Sequence, residues 1–193
     1  MVKRLLFLAF LIICFASCKS KKINPLKNNE VEGILKSKKK TYSYSKKLSN
    51  KDREYFAQVL EVSIDEITNK KLYVFIKSWE ETTYLYGGED KSGIDCSALM
   101  QRLYEHVYGV SLPRTAAEMA FYKKIKLHDP IDHLTEGDLV FFRINEEKVF
   151  SHVGVYLKNG RFFAAGSSEG CAINSLKKPY WKKNYKAFGR LRA

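Results

Sequence analysis

Apolar positions recur along this chain with two periods, and the change from one to the other divides it. From residue 69 to residue 108 the period is helical. Asn69 is placed to cap a helix, and Leu72, Phe75, Ile76 and Trp79 follow on one stripe. Over residues 97–108, Leu99, Leu103 and Val107 form a second stripe, with Met100 and Tyr104 beside it. Arg102, Glu105 and His106 lie off that stripe, and Gly109 is placed to end the helix. A third helix is predicted over residues 115–124, entered through Pro113. Beyond it the period shortens to that of strands. Residues 138–143 (DLVFFR) form one strand after a Glu136-Gly137 turn, and residues 150–157 form the next. Asn159-Gly160 is a hairpin signal leading into residues 161–165. Further strands are predicted over residues 171–175 and 186–191. Helices first and an antiparallel sheet second make an α+β arrangement.

The first part of the chain follows neither period. Residues 1–17 have a basic start, Lys3 and Arg4, then an apolar run of signal-peptide length, too short for a comfortable membrane span. The small residues before Cys18 resemble a bacterial lipobox, with Phe15 where Leu is usual. That resemblance implies cleavage before Cys18 and lipid on its thiol. The alternative is ordinary secretion with Cys18 incidental. Residues 18–50 are rich in Lys, Ser and Asn and read as a flexible tether, residues 51–68 as a short helical lead-in, and residues 69–193 as the folded domain.

Composition changes the picture little. The 193 residues are 45% hydrophobic and 13% aromatic, enough for a sizeable core. The formal net charge is +13, but the lysines crowd into the tether, as suits a segment near an anionic membrane. No nucleic-acid motif accompanies the charge, so no nucleic-acid partner is expected. Of four cysteines, Cys14 leaves with the leader. With Cys18 lipidated, Cys96–Cys171 is the remaining possible pair. It would block Cys96, and no regular cysteine framework supports it.

The candidate chemistry lies in YLYGGEDKSGIDCSALM, residues 84–100. A thiol acts as a nucleophile only as thiolate, and a helix start favours that form. Cys96 stands at such a start, with Asp95 as N-cap and glycines before it that let backbone approach a substrate. Its base must be a histidine. His106 lies on the polar side of the cysteine's own helix, turns away. His128 and His133 share HDPIDH, which has no strand or helix to fix ligands and reads as a solvated loop rather than a metal site. His152 differs, because FSHVGVYL alternates. Phe150, His152, Gly154 and Tyr156 share one face, and Gly154 leaves room for a helix end. Read alone, His152 is more simply a satisfied core or surface histidine.

These segments together resemble the NlpC/P60 cysteine peptidases. The nucleophile segment, SHVGVYL, LPRT (residues 112–115), EGDLVFF (residues 136–142) and the closing PYWKKNYKAFGRLRA occur in the family's order, from about Leu72 onward. The resemblance implies a papain-like fold and a catalytic domain over residues 69–193. It implies a monomeric, cofactor-free and metal-free enzyme of the bacterial envelope that cuts peptidoglycan peptides, commonly between γ-D-Glu and diaminopimelate or at a cross-link amide. Cys96 would be nucleophile and His152 base. Tyr84, Asp95 and Ser97 would contact substrate, although each also has a purely local role open to it.

One position departs from the pattern. The family's third polar residue, which orients the base, falls at Ala164, whose methyl group accepts no hydrogen bond. Three outcomes are open. The pair works as a dyad; Ser167, Ser168 or Asn174 substitutes; or the protein binds cell-wall peptides without turnover.

Overall fold

The computed structural model describes Tyr44, residues 47–129 and residues 131–192, apart from the Asp132 side chain. The expected leader, Cys18 and most of the tether lie outside the described residues. Among the described residues, no helix is long and apolar enough to cross a membrane.

Helix α1, Asn50–Leu60, starts at a capping box, in which Asp52 N–H donates to Ser49 Oγ at 3.0 Å and Ser49 N–H to Asp52 Oδ2 at 3.3 Å. It buries Phe56 and Leu60, and Phe56 meets Tyr73 of the next helix with ring centroids 4.8 Å apart. That helix, α2, is Lys70–Trp79, capped as expected by Asn69, whose Oδ1 accepts from Leu72 N–H at 3.2 Å. A two-residue ladder follows, β1 (Glu89–Asp90) with β2 (Gly93–Ile94). Helix α3, Cys96–Tyr108, ends at Gly109 with φ 67°, where glycine carries no Cβ penalty.

Helix α4, Ala116–Ala120, is shorter than the predicted span. Thr115 and Glu118 box its start, but Phe121 is exposed and Ile125 already enters a strand. That strand, β3 (Ile125–His128, IKLH), alternates over four residues only, too short a run to announce it. It exists because it pairs with the final strand, so its cause is non-local.

The sheet continues with β4 (Leu139–Phe142), β5 (His152–Tyr156), β6 (Arg161–Gly166), β7 (Gly170–Ser175) and β8 (Tyr185–Leu191). The order is β3-β8-β4-β5-β6-β7, every pair antiparallel. All four residues of β4 are buried, so both faces are covered. Helix α3 packs on β5 and β6. Val140, Phe142, Phe162, Ala164, Leu176 and Phe188 form a cluster on one face. A short helix not foreseen from the sequence, α5 (Pro179–Asn184), sets Trp181 against that cluster, 4.9 Å from Phe142 and 5.0 Å from Phe162. Each fully buried phenylalanine contributes roughly 2–3 kcal/mol of transfer free energy. At the far end of the sheet, Arg190 grips the buried Asp138 at 2.7 and 2.9 Å and ties β8 to the start of β4.

Two sequence expectations are corrected here. The HDPIDH segment is not a plain loop: His128 closes β3 and stacks on Phe188 at 4.9 Å, and His133 ends a 3-10 turn, Ile131–His133. Among the described residues, no group of three or more His, Cys, Asp or Glu is placed to hold a metal ion. Nor does Gly154 make room for a helix end. A Cβ there would lie 2.9 Å from Phe162 Cδ2 and 3.0 Å from Ala164 Cβ, so it is the neighbouring strand that requires glycine.

Candidate active site

Asp95 organises the start of α3. Its Oδ1 accepts from Ala98 N–H at 2.7 Å and from the Ser97 hydroxyl at 2.9 Å, and its Oδ2 from Gly87 N–H at 3.1 Å. The glycines before it act differently from expectation. A Cβ on Gly88 would come within 2.8 Å of the Gly93 carbonyl carbon, and one on Gly93 within 2.6 Å of Leu85 Cβ. They let the two arms of the loop close on each other. Gly87 alone, at φ +74°, borders the cleft.

Arg114 completes this corner. Its Nη1 donates to Asp95 Oδ1 at 3.0 Å and to Ser97 Oγ at 2.8 Å, and its Nη2 to Asp95 Oδ2 at 2.6 Å. Burial pushes the Asp95 carboxyl up, but Arg114, Ala98 N–H and the Ser97 hydroxyl outweigh it and hold the carboxyl below its ordinary value. Arg114 has no role in the sequence reading beyond its place in LPRT. An arginine after proline carries no signal of its own partner.

Cys96 is the first residue of α3 and is 8% exposed. Burial pushes its thiol up to about 11, against the backbone N–H groups of Val153, Ser97 and Cys96 itself, which lower it. The helix start therefore supplies the expected N–H groups, but in the resting site desolvation outweighs them. The N–H of Val153 faces the sulfur, so the thiol meets β5 one residue after His152. His152 is 7% exposed, and burial lowers it to about 4. The two shifts favour the neutral thiol and the neutral imidazole. Cys96 and Cys171 are free thiols and do not pair.

Two adjoining hollows flank this pair. One, of about 610 Å³, is bordered by Asp95, Cys96, Ser97, Arg114, Phe121 and Phe150. The other, of about 330 Å³, is bordered by His152, Asn145, Ser167, Ser168, Tyr180 and Trp181. Tyr84, Tyr86, Lys148 and Ser151 border both, so the two form one groove. Tyr84 is held by a bridge to Ile94, and burial followed by the charges of Cys96 and Asp95 raises its phenol.

Tyr84, Asp95, Cys96, Ser97 and His152 thus converge on one groove. The three candidates for orienting His152 do not reach it. Ser167 and Ser168 border its hollow without a hydrogen bond to the ring, and Asn174 Oδ1 accepts from Trp181 Nε1–H at 3.1 Å. His152 Nε2 is buried with no hydrogen-bond partner among the described residues. Ala164 is buried in the neighbouring strand, against Gly154.

The model of the NlpC/P60 family matches residues 81–190. The chain belongs to the NlpC/P60 family. Its NlpC/P60 relatives include a probable endopeptidase NlpC homolog of Haemophilus influenzae, 42% identical over 118 residues, covering 61% of this chain and 60% of the relative. They also include the murein DD-endopeptidase MepS/murein LD-carboxypeptidase of Escherichia coli K12, 37% identical over 134 residues, covering 65% of this chain and 69% of that protein. Among solved structures, a Staphylococcus aureus protein described as similar to a lipoprotein of the NLP/P60 family superposes with a TM-score of 0.53 at 25% identity, over 83% of this chain and 48% of that one. The α+β fold is that of the NlpC/P60 domain.

Proposed function

We propose that this protein is a cysteine endopeptidase of peptidoglycan, with Cys96 as nucleophile and His152 as base. The observation that carries it is the meeting of the α3 N-terminus and the β5 histidine in one groove whose wall holds Asp95, Ser97 and Arg114. The relatives named as murein endopeptidases support the substrate class.

The thiol and imidazole rest neutral, so the nucleophile forms as substrate binds. His152 takes the Cys96 proton while sulfur attacks the amide carbonyl carbon. The oxyanion is met by N–H groups at the start of α3 and by the Tyr84 hydroxyl. The C–N bond breaks, His152 returns the proton to the leaving amine, and a thioester remains. Water then attacks the thioester, giving one proton to His152, and the acid and free thiol are released. Arg114 borders the groove, and a carboxylate on the acyl side of the substrate, such as that of γ-D-Glu, would be its charge complement; the bond cut would be that after γ-D-Glu or a cross-link amide. Cys18 would carry a lipid anchor that keeps the enzyme at an envelope membrane, the basic tether giving it reach.

A second reading has one observation in its favour. The unpartnered Nε2 of His152 suits a protein that binds cell-wall peptides in this groove and does not turn them over. Digestion of purified muropeptides, followed by mass spectrometry, separates the two. New fragments with the wild type and none with Cys96→Ala support the enzyme. Binding without fragments, or identical fragments from both proteins, rejects it.

A further inference from the structure

A histidine base needs its ring held in one rotamer, and the usual means is a hydrogen bond at the nitrogen far from the reaction. Here Nε2 is sealed from solvent and has no such partner among the described residues. The nitrogen left to serve the groove is Nδ1. What lies against the ring instead is aromatic. The Trp181 indole stacks on it, with centroids 5.3 Å apart and planes at 27°. Phe142 lies 5.8 Å away at 50°.

Trp181 is itself fixed on two sides. Phe162 meets it edge-on at 84°, and Phe142 at 61°. Its Nε1–H donates to Asn174 Oδ1 at 3.1 Å, and Asn174 is buried on β7. Trp181 is half-buried; an indole N–H packed against a core takes an acceptor there, and the acceptor's position sets the ring's plane. We propose that Trp181 is the positioning residue for His152, clamped by Asn174, and that this stack does the work of the missing polar residue at Ala164. The stack fixes the imidazole against rotation.

Groups other than Trp181 that face His152 are few. Cys96 is the titratable neighbour from α3, and Tyr84, Tyr86, Tyr180 and Lys148 border the same hollow. No carboxylate is among the described residues bordering it. A change in His152 titration on altering Trp181 therefore reports the stack.

The inference rests on the peptidase reading for its effect on turnover, but two of its measurements need no turnover. In the full chain, Trp181→Phe, Trp181→Leu and Asn174→Ala are compared with wild type. The His152 titration is followed by NMR, assigned against His152→Gln. The pH dependence of iodoacetamide alkylation at Cys96 is read by peptide mass mapping, which separates it from Cys14, Cys18 and Cys171. Trp181→Leu is expected to raise the His152 midpoint by about one unit or more as water reaches the ring, and to shift the alkylation profile with it. Where muropeptides are cleaved, kcat falls about tenfold or more with KM little changed. Trp181→Phe keeps ring and volume and gives a smaller change, and Asn174→Ala gives one in the same direction. If Trp181→Leu does not fold, as judged by its amide spectrum, the other two variants decide. Wild-type titration and alkylation in the folded Trp181 variants would overturn the proposal, and wild-type behaviour of Asn174→Ala would overturn the clamp. Failure of the wild type to cleave muropeptides would sink the hydrolase reading alone.

Discussion

Arg114 holds Asp95 by both carboxylate oxygens, at 3.0 and 2.6 Å, while Asp95 caps the helix that begins at Cys96. One ion pair thus joins the loop before α4 to the nucleophile's own helix. Arg114 is partly exposed and Asp95 is not, so the pair's weight is in placement more than in stability.

Arg114→Ala is accordingly expected to cost only about 1–2 kcal/mol of stability, because Asp95 keeps its other three donors. Turnover of muropeptides is expected to fall about tenfold or more, through loss of both substrate contact and helix placement. Arg114→Lys, which lacks the planar fork, recovers little of it. Chemical denaturation and kcat/KM measured on the same preparations check this. Unchanged turnover would remove Arg114 from the site.

The pH dependence follows from His152. Its folded-state value, about 4, lies below the ordinary histidine value, so the native state resists protonation that the unfolded chain accepts. The stability this confers is complete above pH 6.5 and is lost as pH falls from there towards 4, by roughly 3 kcal/mol. Urea unfolding of wild type and His152→Gln at pH 7 and pH 4.5 checks it. The wild type should lose more stability than the variant; equal losses would show that the imidazole is already solvated. The acid limb of peptidase activity should likewise lie well below pH 6.

Gly154→Ala tests how tightly the sheet is closed beneath the base. Its Cβ would meet Phe163 O at 2.8 Å as well as Phe162 and Ala164. Overpacking of this kind costs typically 1–3 kcal/mol. Because residue 154 is two positions from His152 on the same strand, activity should fall together with the melting temperature. A variant as stable and active as wild type would mean that β5 and β6 separate easily.

Phe56→Ala tests whether α1 is part of the folded unit. Phe56 is fully buried and contacts Tyr73. Its removal should cost about 3–5 kcal/mol. A change under about 1 kcal/mol would make α1 a dispensable attachment.

The legible parts were those that a single short segment dictates. Asn69, Leu72 and Phe75 mark α2 because cap and stripe lie within one helix. Asp95-Cys96-Ser97 marks a helix start, and Asn159-Gly160 a hairpin, for the same local reason. The short strand at Ile125 was hidden, since its pairing partner is Leu191 at the far end of the chain. Helix α5 was hidden too, because six residues containing four aromatic or basic side chains have no period to read.

The site divides in the same way. Cys96, Asp95 and Ser97 are neighbours in the chain, and alternation put His152 on a rigid strand, so the nucleophile and a base could be named from local pattern and family order. Arg114 on Asp95, and Trp181 on His152, join residues 19 and 29 positions apart by contacts alone. No periodicity encodes such pairs, because each residue's local environment is satisfied equally well without the other. Folding also reversed the expected sign at Cys96. The helix start favours a thiolate, but closing the sheet against it removed water, and desolvation outweighs a few N–H groups.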